Sequence, residues 1–400
     1  MTLLDVAQGQ FTLTRHPARS HDTFRAWDAA DEYLLAHVAE LEPPLSATRR
    51  VLIVNDTCGA LSTALADAAP SSLSDSYVTQ LATVTNLRRR RVDPATVPLL
   101  GSLDPLPTAI DVVLVKIPKS LALLEYQLRR IAPLMSTESI IVGAAMSKHI
   151  HTSTLEIFER IIGPTSTSLA LKKARLIHPR RRADADARAE AGADTDRTTD
   201  GFFLADGTTR IATRPGVFAG DRLDIGTRFL LDNLKTAVGP TTVVDLGCGN
   251  GVLGTVIAQR NPDARVVFID ESYFAVAAAT ETFESNFGSE RTARFLVGDG
   301  LADLADGEAI VDGSVDLVVN NPPFHVDHAL ADETAWAMFK GAHRILRPGG
   351  ELWVVGNRHL AYHAKLKRLF GNCTVAASNS KFVVLRAERV ESTPPSAPRD

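Results

Sequence analysis

Short runs of consecutive apolar, mostly β-branched residues punctuate this chain: VLIV from Val51, DVVLV from Asp111, TVVDL from Thr242 and VDLVV from Val315. Between them lie longer stretches in which apolar positions recur at helical spacing. This alternation predicts strands buried on both faces and separated by amphipathic helices, an α/β fold with a mostly parallel sheet covered on both sides. In the C-terminal half, strands are expected near 242–246, 265–270, 293–297, 315–320, 350–356, 373–378 and 381–388. The last two flank Asn379-Ser380 and predict an antiparallel hairpin. Arg347-Pro-Gly-Gly350 predicts a turn into the fifth strand.

The pattern occurs twice. RRVLIVNDTCGALSTALA from Arg49 resembles TTVVDLGCGNGVLGTVIA from Thr241, IDVVLVKIPKS from Ile110 resembles SVDLVVNNPPF from Ser314, and GAAMSKHI from Gly143 resembles WVVGNRHL from Trp353. The pairs run in one order and their offsets drift by only about 20 residues, so two tandem Rossmann-like domains are expected, a duplication. Between them, the small and charged residues from Pro179 to Arg197 have almost nothing to bury. The expected organisation is a first domain over 1–178, a linker over 179–200, a second domain over 201–390 and a frayed tail over 391–400.

Composition narrows the class. The chain has 400 residues, 45% of them hydrophobic, with a formal net charge of -4. That is an ordinary globular balance, so a nucleic-acid partner would need a local basic patch. Cys58, Cys248 and Cys373 lie far apart and show no metal-binding spacing, so no metal and no disulfide is expected. The start MTLLDVAQGQF lacks the features of a signal peptide, and no apolar run reaches roughly 18 residues. A cytoplasmic location and no membrane partner are expected.

Asp245-Leu-Gly-Cys-Gly-Asn-Gly-Val-Leu-Gly254 follows a strand and opens a helix. Gly247, Gly249 and Gly251 form the turn, and Gly249, Gly251 and Gly254 match G-x-G-x-x-G, with Asp270 about 20 residues on. The motif alone fits a dinucleotide, or no ligand. Asp245 discriminates, because a carboxylate at the strand end repels a pyrophosphate and favours a cation. S-adenosylmethionine carries a sulfonium and an ammonium and no phosphate. Asp270 then suits its ribose diol, and Asp299 its adenine amine. The first copy lacks this equipment: ungapped alignment puts Ile53, Asn55 and Thr57 opposite Asp245, Gly247 and Gly249, and only Gly59 persists, opposite Gly251. A recognition or scaffolding role is expected there. Its candidate tool is Arg88–Arg91, helped by Arg49, Arg50, Arg129 and Arg130, either as a phosphate footprint or as a solvated loop.

Asn320-Asn321-Pro322-Pro323-Phe324 ends the fourth strand of the second copy. Two prolines hold the carboxamide of Asn321 stiffly at the topological switch point. An exocyclic base amine is a poor nucleophile. The Asn321 oxygen and the Pro322 carbonyl can grip its two N–H groups, direct its lone pair and stabilise the growing charge. Phe324 offers a stacking face.

At these residues the chain resembles the Asn-Pro-Pro-aromatic class of class I S-adenosylmethionine-dependent methyltransferases. Asn-Pro-Pro-Phe-His325, together with Gly216-Val-Phe-Ala-Gly-Asp-Arg-Leu-Asp-Ile-Gly-Thr-Arg228, resembles the two-domain rRNA guanine-N2 methyltransferases of the RlmG and RsmC types. The stretches around His328, Asn357-Arg-His-Leu, Phe370-Gly-Asn-Cys and Lys381-Phe-Val-Val-Leu resemble the RlmG type more. The resemblance implies methylation of a guanine N2 in rRNA, in the large subunit for the RlmG type and in the small subunit for the RsmC type. It also implies a degenerate first domain. Phe218 and Asp224 would lie near the methionine end of the cofactor, and His325 would shape the base pocket. Arg358, with Lys365, Lys367 and Arg368, is either an RNA-facing patch or a solvated face. A protein-glutamine methyltransferase and a non-catalytic RNA-binding factor remain as alternatives; Phe324 and the intact Asp245 turn oppose them. A monomer acting on rRNA is expected.

Overall fold

The computed structural model describes residues 2–17, 24–182, 199–219, 222–235, 239, 241–323 and 328–391. Most of the expected linker and of the expected tail lies outside the described residues. The chain divides into two compact units, 1–197 and 198–400. In the first unit the elements run β1 (Thr2–Val6), β2 (Gly9–Leu13), α1 (Ala29–Ala39), β3 (Val51–Val54), α2 (Ala60–Ala64), β4 (Ser71–Leu73), α3 (Tyr77–Arg89) and β5 (Leu99–Leu100). They continue with β6 (Ile110–Lys116), α4 (Leu121–Ile131), β7 (Met135–Met146), α5 (Thr152–Ile161), β8 (Thr165–Thr167) and β9 (Ala174–Pro179).

The second unit begins with β10 (Thr199–Phe203), β11 (Arg210–Thr213), α6 (Ile225–Asn233), β12 (Thr242–Leu246), α7 (Val252–Arg260), β13 (Arg265–Asp270), α8 (Tyr273–Phe287), β14 (Arg294–Asp299) and β15 (Asp303–Leu304). It ends with β16 (Val315–Asn320), α9 (His328–Ile345), β17 (Leu346–Asn357), α10 (Tyr362–Phe370), β18 (Thr374–Ser378) and β19 (Phe382–Glu388).

The two large sheets share a seven-strand order, to which the second adds β15 at one edge. The first is ordered β5-β4-β3-β6-β7-β9-β8, the second β15-β14-β13-β12-β16-β17-β19-β18. The central strands are parallel, and β9 and β19 run antiparallel to their neighbours. The strand order reverses between β3 and β6, and between β12 and β16. That is the switch point of a doubly wound sheet, where a crevice opens beyond the carboxyl ends of the strands. The duplicated α/β fold expected from the sequence is therefore present, with the C-terminal hairpin β18–β19.

The register makes the duplication close enough to compare residues. Val54 ends β3 opposite Val115, and Leu246 ends β12 opposite Asn320. Lys116 thus stands where Asn321 stands, one residue further along than an ungapped match of the two sequences implies. Even a strand-start device is shared: the Asp111 carboxylate accepts from the Arg50 backbone N–H at 2.8 Å, and the Asp316 carboxylate from that of Thr242 at 2.7 Å.

Burial on both faces explains the apolar runs. In the second unit Val244, Leu246 and Val318 join the core formed with α9 and α10, while Val243, Leu317 and Val319 join the core formed with α6, α7 and α8. The turn expected at Arg347–Gly350 lies inside one long irregular strand. Leu346 already pairs with Val315, the chain bulges with Gly349 at φ +78°, and pairing resumes between Glu351 and Leu317. The hairpins β1–β2 and β10–β11 and the two-residue β15 were not anticipated, because polar residues and glycine interrupt them and they lack the unbroken β-branched run that marks a strand buried on both faces.

Candidate functional site

The carboxyl ends of β14, β13, β12 and β16 form one edge, and the candidate residues Asp299, Asp270, the glycine turn and Asn321 follow one another along it. At 4.7–4.9 Å per strand, that edge spans roughly 14 Å.

The glycine turn is built on β12 and β13. The backbone N–H groups of Gly247 and Cys248 both donate to the Ile269 carbonyl, at 2.8 and 3.0 Å. This folds the chain back over the neighbouring strand before α7 begins. Gly251 starts α7 with φ +77°, and a Cβ there would come within 2.9 Å of the Ala279 backbone in α8. Gly249, at φ +53°, has nothing within 4 Å of where a Cβ would stand. One glycine lets two helices approach; the other leaves open room at the edge. Cys248 is a buried filler whose thiol is pushed far up, first by burial and then by Asp270 and Asp245.

Asp245 is fully buried. One carboxylate oxygen accepts from the Gly254 backbone N–H at 2.8 Å. The other is buried with no hydrogen-bond partner. Burial, and then the charge of Asp270, push its carboxyl up to about 8. Asp270 is also raised by burial; it accepts from the Gly249 N–H at 2.9 Å and the Ser272 N–H at 3.0 Å. It therefore holds the turn together, and its oxygens keep lone pairs for hydroxyl donors. This set fits a ligand that is cationic near Asp245 and carries hydroxyls near Asp270. A pyrophosphate would meet two carboxylates. Asp299 ends β14.

Asn320 and Asn321 have different tasks. Asn320 is fully buried and points toward α9; its Nδ2 donates to the Leu246 carbonyl at 2.5 Å and locks the ends of β12 and β16 together. Asn321 faces α6. Its Nδ2 donates to Thr227 Oγ1 at 2.9 Å and lies 3.4 Å from Asp224 Oδ2. Its Oδ1 is buried and has no hydrogen-bond partner. Pro322 is buried and Pro323 exposed. Phe324 and His325 lie outside the described residues.

Asp224 is the N-cap of α6, accepting from the Thr227 backbone N–H at 2.9 Å. Phe218 is 48% exposed, in a turn whose Ala219 carbonyl accepts from Asn250 Nδ2 of the glycine turn at 3.4 Å. The 216–228 motif thus reaches both the glycine turn and Asn321. Thr227 and Asn250 carry no mark in the sequence strong enough to single them out; for Thr227, an Asp-x-x-Thr helix start is the one signal that points to it.

The basic candidates separate. Arg88 and Arg89 end α3 and Arg90 and Arg91 follow it; the helix comes after β4 and so runs back toward the amino-end edge of its sheet. Arg88, Arg89 and Arg91 are exposed, but Arg90 turns inward: it pairs with Asp67 at 2.6 Å, donates to the Thr63 carbonyl at 2.9 Å and lies over the Phe11 ring. The helper arginines are engaged as well. Arg50 pairs with Asp111, Arg129 with Glu125, Arg130 caps the carbonyls of Ser102 and Asp104, and Arg49 that of Pro43. Arg358 is exposed just after β17, its backbone N–H bonded to the Lys381 carbonyl. In α10, Lys365 pairs with Asp332 and Arg368 lies over the Trp336 ring at 4.5 Å. Among the described residues no His, Cys, Asp and Glu grouping could hold a metal ion, and no helix is long and apolar enough to cross a membrane.

A doubly wound sheet with a seventh antiparallel strand, a glycine turn after its first central strand and a rigid Asn-Pro-Pro end on the adjacent strand define the class: a methyltransferase domain, preceded by a degenerate copy. Residues 208–386 match the family described as methyltransferase small domain, and residues 1–183 the one described as RLMG N-terminal domain. The chain belongs to the ribosomal RNA large subunit methyltransferase G family. It is 52% identical to the protein of that name from Streptomyces coelicolor, over 95% of this chain and 98% of the relative. It is 46% identical to the one from Aeromonas salmonicida, over 96% and 99%. A solved structure of the T. thermophilus 16S rRNA N2 G1207 methyltransferase (RsmC), in complex with AdoMet and guanosine, shares the fold across 97% of both chains, with a TM-score of 0.73 at 20% identity.

Proposed function

We propose that this protein transfers a methyl group from S-adenosylmethionine to the exocyclic N2 of a guanine in large-subunit rRNA. The Asn321 carboxamide supports this most directly. Its nitrogen is tied back to Thr227 and its oxygen is left as a buried acceptor without a partner at the switch point. A lone fixed acceptor suits a ligand that arrives with N–H groups. The names of the relatives support the large subunit as the target.

When bound, S-adenosylmethionine supplies an electrophilic methyl on a sulfonium. At the β14 end of the edge Asp299 would lie toward its adenine; on the two strands between, Asp270 and Asp245 would hold its ribose and cationic portions, with Phe218 and Asp224 toward its methionine end. Gly249 leaves the room for it, and Gly247 and Gly251 shape the turn that does so. At the other end, Asn321 Oδ1 and the Pro322 carbonyl would accept from the guanine amine, turn its lone pair toward the methyl and stabilise the charge that develops on nitrogen. The amine needs no strong base, because its methylated cation is acidic. Alignment supplies much of the remaining acceleration. Phe324 and His325 complete the base pocket in this proposal, with the base turned out of its stack.

Incubation with tritiated cofactor and separate large-subunit rRNA, small-subunit rRNA and ribosomal protein fractions tests this. Label in large-subunit rRNA is expected. Label confined to small-subunit rRNA corrects the target; label confined to protein, or none, overturns the proposal.

A further inference from the structure

Asn321 can present either end of its amide, since its two orientations occupy almost the same volume. Only one turns the nitrogen to α6 and leaves the oxygen without a partner. The choice is made by α6. Asp224 Oδ2, a pure acceptor, lies 3.4 Å from Thr227 Oγ1 and 3.4 Å from Asn321 Nδ2, and Thr227 Oγ1 lies 2.9 Å from Asn321 Nδ2. The single hydroxyl proton of Thr227 goes to the carboxylate, which leaves only lone pairs toward Asn321. The amide nitrogen can face that pair of acceptors. The amide oxygen would meet a carboxylate and a hydroxyl lone pair, with no proton between them.

The first unit shows the same three positions put to another use. Asp28 is the N-cap of α1 and Asp31 is its third residue, as Asp224 and Thr227 are for α6. Lys116 stands at the position of Asn321. Its Nζ is 2.8 Å from Asp28 Oδ1 and 2.7 Å from Asp31 Oδ1. In both units the start of the helix grips a nitrogen at the strand end. In the first unit the gripped group is an ammonium with no acceptor to offer. In the second it is an amide, so gripping the nitrogen exposes an oxygen.

We infer that Thr227 is a positioning residue of the methyl-transfer site, which with Asp224 fixes the Asn321 carboxamide with its oxygen toward the substrate amine. This rests on the function proposed above. Thr227→Val keeps the shape and the backbone N–H that bonds Asp224, so the helix cap survives while the acceptor is removed. Thr227→Ser keeps the hydroxyl.

The test uses the full-length chain with S-adenosylmethionine and large-subunit rRNA. Thr227→Val should lower kcat on the order of 10- to 100-fold, the scale for removing the outer partner of an orienting hydrogen bond, with the KM for the cofactor unchanged. Thr227→Ser should restore most of the loss. In parallel, the side-chain amide resonances of Asn321, assigned by their disappearance in Asn321→Ala, should move in Thr227→Val and stay in place in Thr227→Ser. Wild-type kcat in Thr227→Val, equal losses in Val and Ser, or unmoved Asn321 resonances would overturn the inference. If the wild type labels no rRNA, the functional proposal fails and the resonances alone decide the role of Thr227.

Discussion

In the proposed reaction the chemistry converges on one atom, Oδ1 of Asn321, an acceptor held without a partner just past the end of β16. Asn321→Ala should leave cofactor affinity nearly unchanged and lower turnover by at least ~100-fold, the scale for removing one charge-stabilising group; calorimetry and single-turnover rates separate the two. Asp245 makes a different prediction. Its carboxyl sits at about 8 against an ordinary 3.8. A group that keeps its proton longer folded than unfolded favours the fold below 3.8, and that contribution is lost as pH rises through 8. A cation bound beside it favours the ionised form. Cofactor affinity should therefore rise with pH up to about 8 and level off above it, with proton release visible as a dependence of binding heat on buffer. Affinity that is flat with pH, and no proton release, would remove Asp245 from the cation site. Asn321 was legible because two prolines mark it. Thr227 was not: a threonine in the first turn of a helix is ordinary, and it meets Asn321 only across 94 positions of chain.

At the scale of elements, the strand runs and their order were legible because parallel strands buried on both faces are written as unbroken apolar stretches. What the sequence concealed is the contact between a helix start and a strand end, made once in each unit. In the first unit it is a salt bridge among Asp28, Asp31 and Lys116, with Asp31 and Lys116 largely buried. Burial raises Asp31 to about 6 despite the lysine, so the pair is costly to divide. Lys116→Met should destabilise the first unit by about 3 kcal/mol, as when one member of a buried ion pair is stranded. Lys116→Met with Asp31→Leu should recover most of that. Denaturant unfolding followed by a probe in the first unit reads both, and an unchanged midpoint in Lys116→Met would contradict the account of the clasp.

For the whole molecule, the duplication leaves one unit with the glycine turn and the Asn-Pro-Pro strand end and another in which a lysine clasped by two aspartates stands at that strand end. The run Arg88–Arg91 looks like one patch in sequence, but a helix end fans its side chains, and Arg90 is drawn to Asp67 and Phe11. Serine at Arg88, Arg89 and Arg91 together should weaken rRNA binding and shallow the slope of log affinity against log salt by about 0.7–0.9 for each phosphate no longer neutralised. An unchanged slope would remove the first unit's role in RNA binding. The identity of the methylated nucleoside tests the proposed reaction without an intermediary. Large-subunit rRNA is treated with wild-type protein or Asn321→Ala and a cofactor carrying a deuterated methyl group, then digested for mass spectrometry. Deuterated N2-methylguanosine is expected with the wild type and none with Asn321→Ala. A deuterated methyl on a ring nitrogen, a ribose or another base, or undiminished N2-methylguanosine with Asn321→Ala, would contradict the proposed reaction.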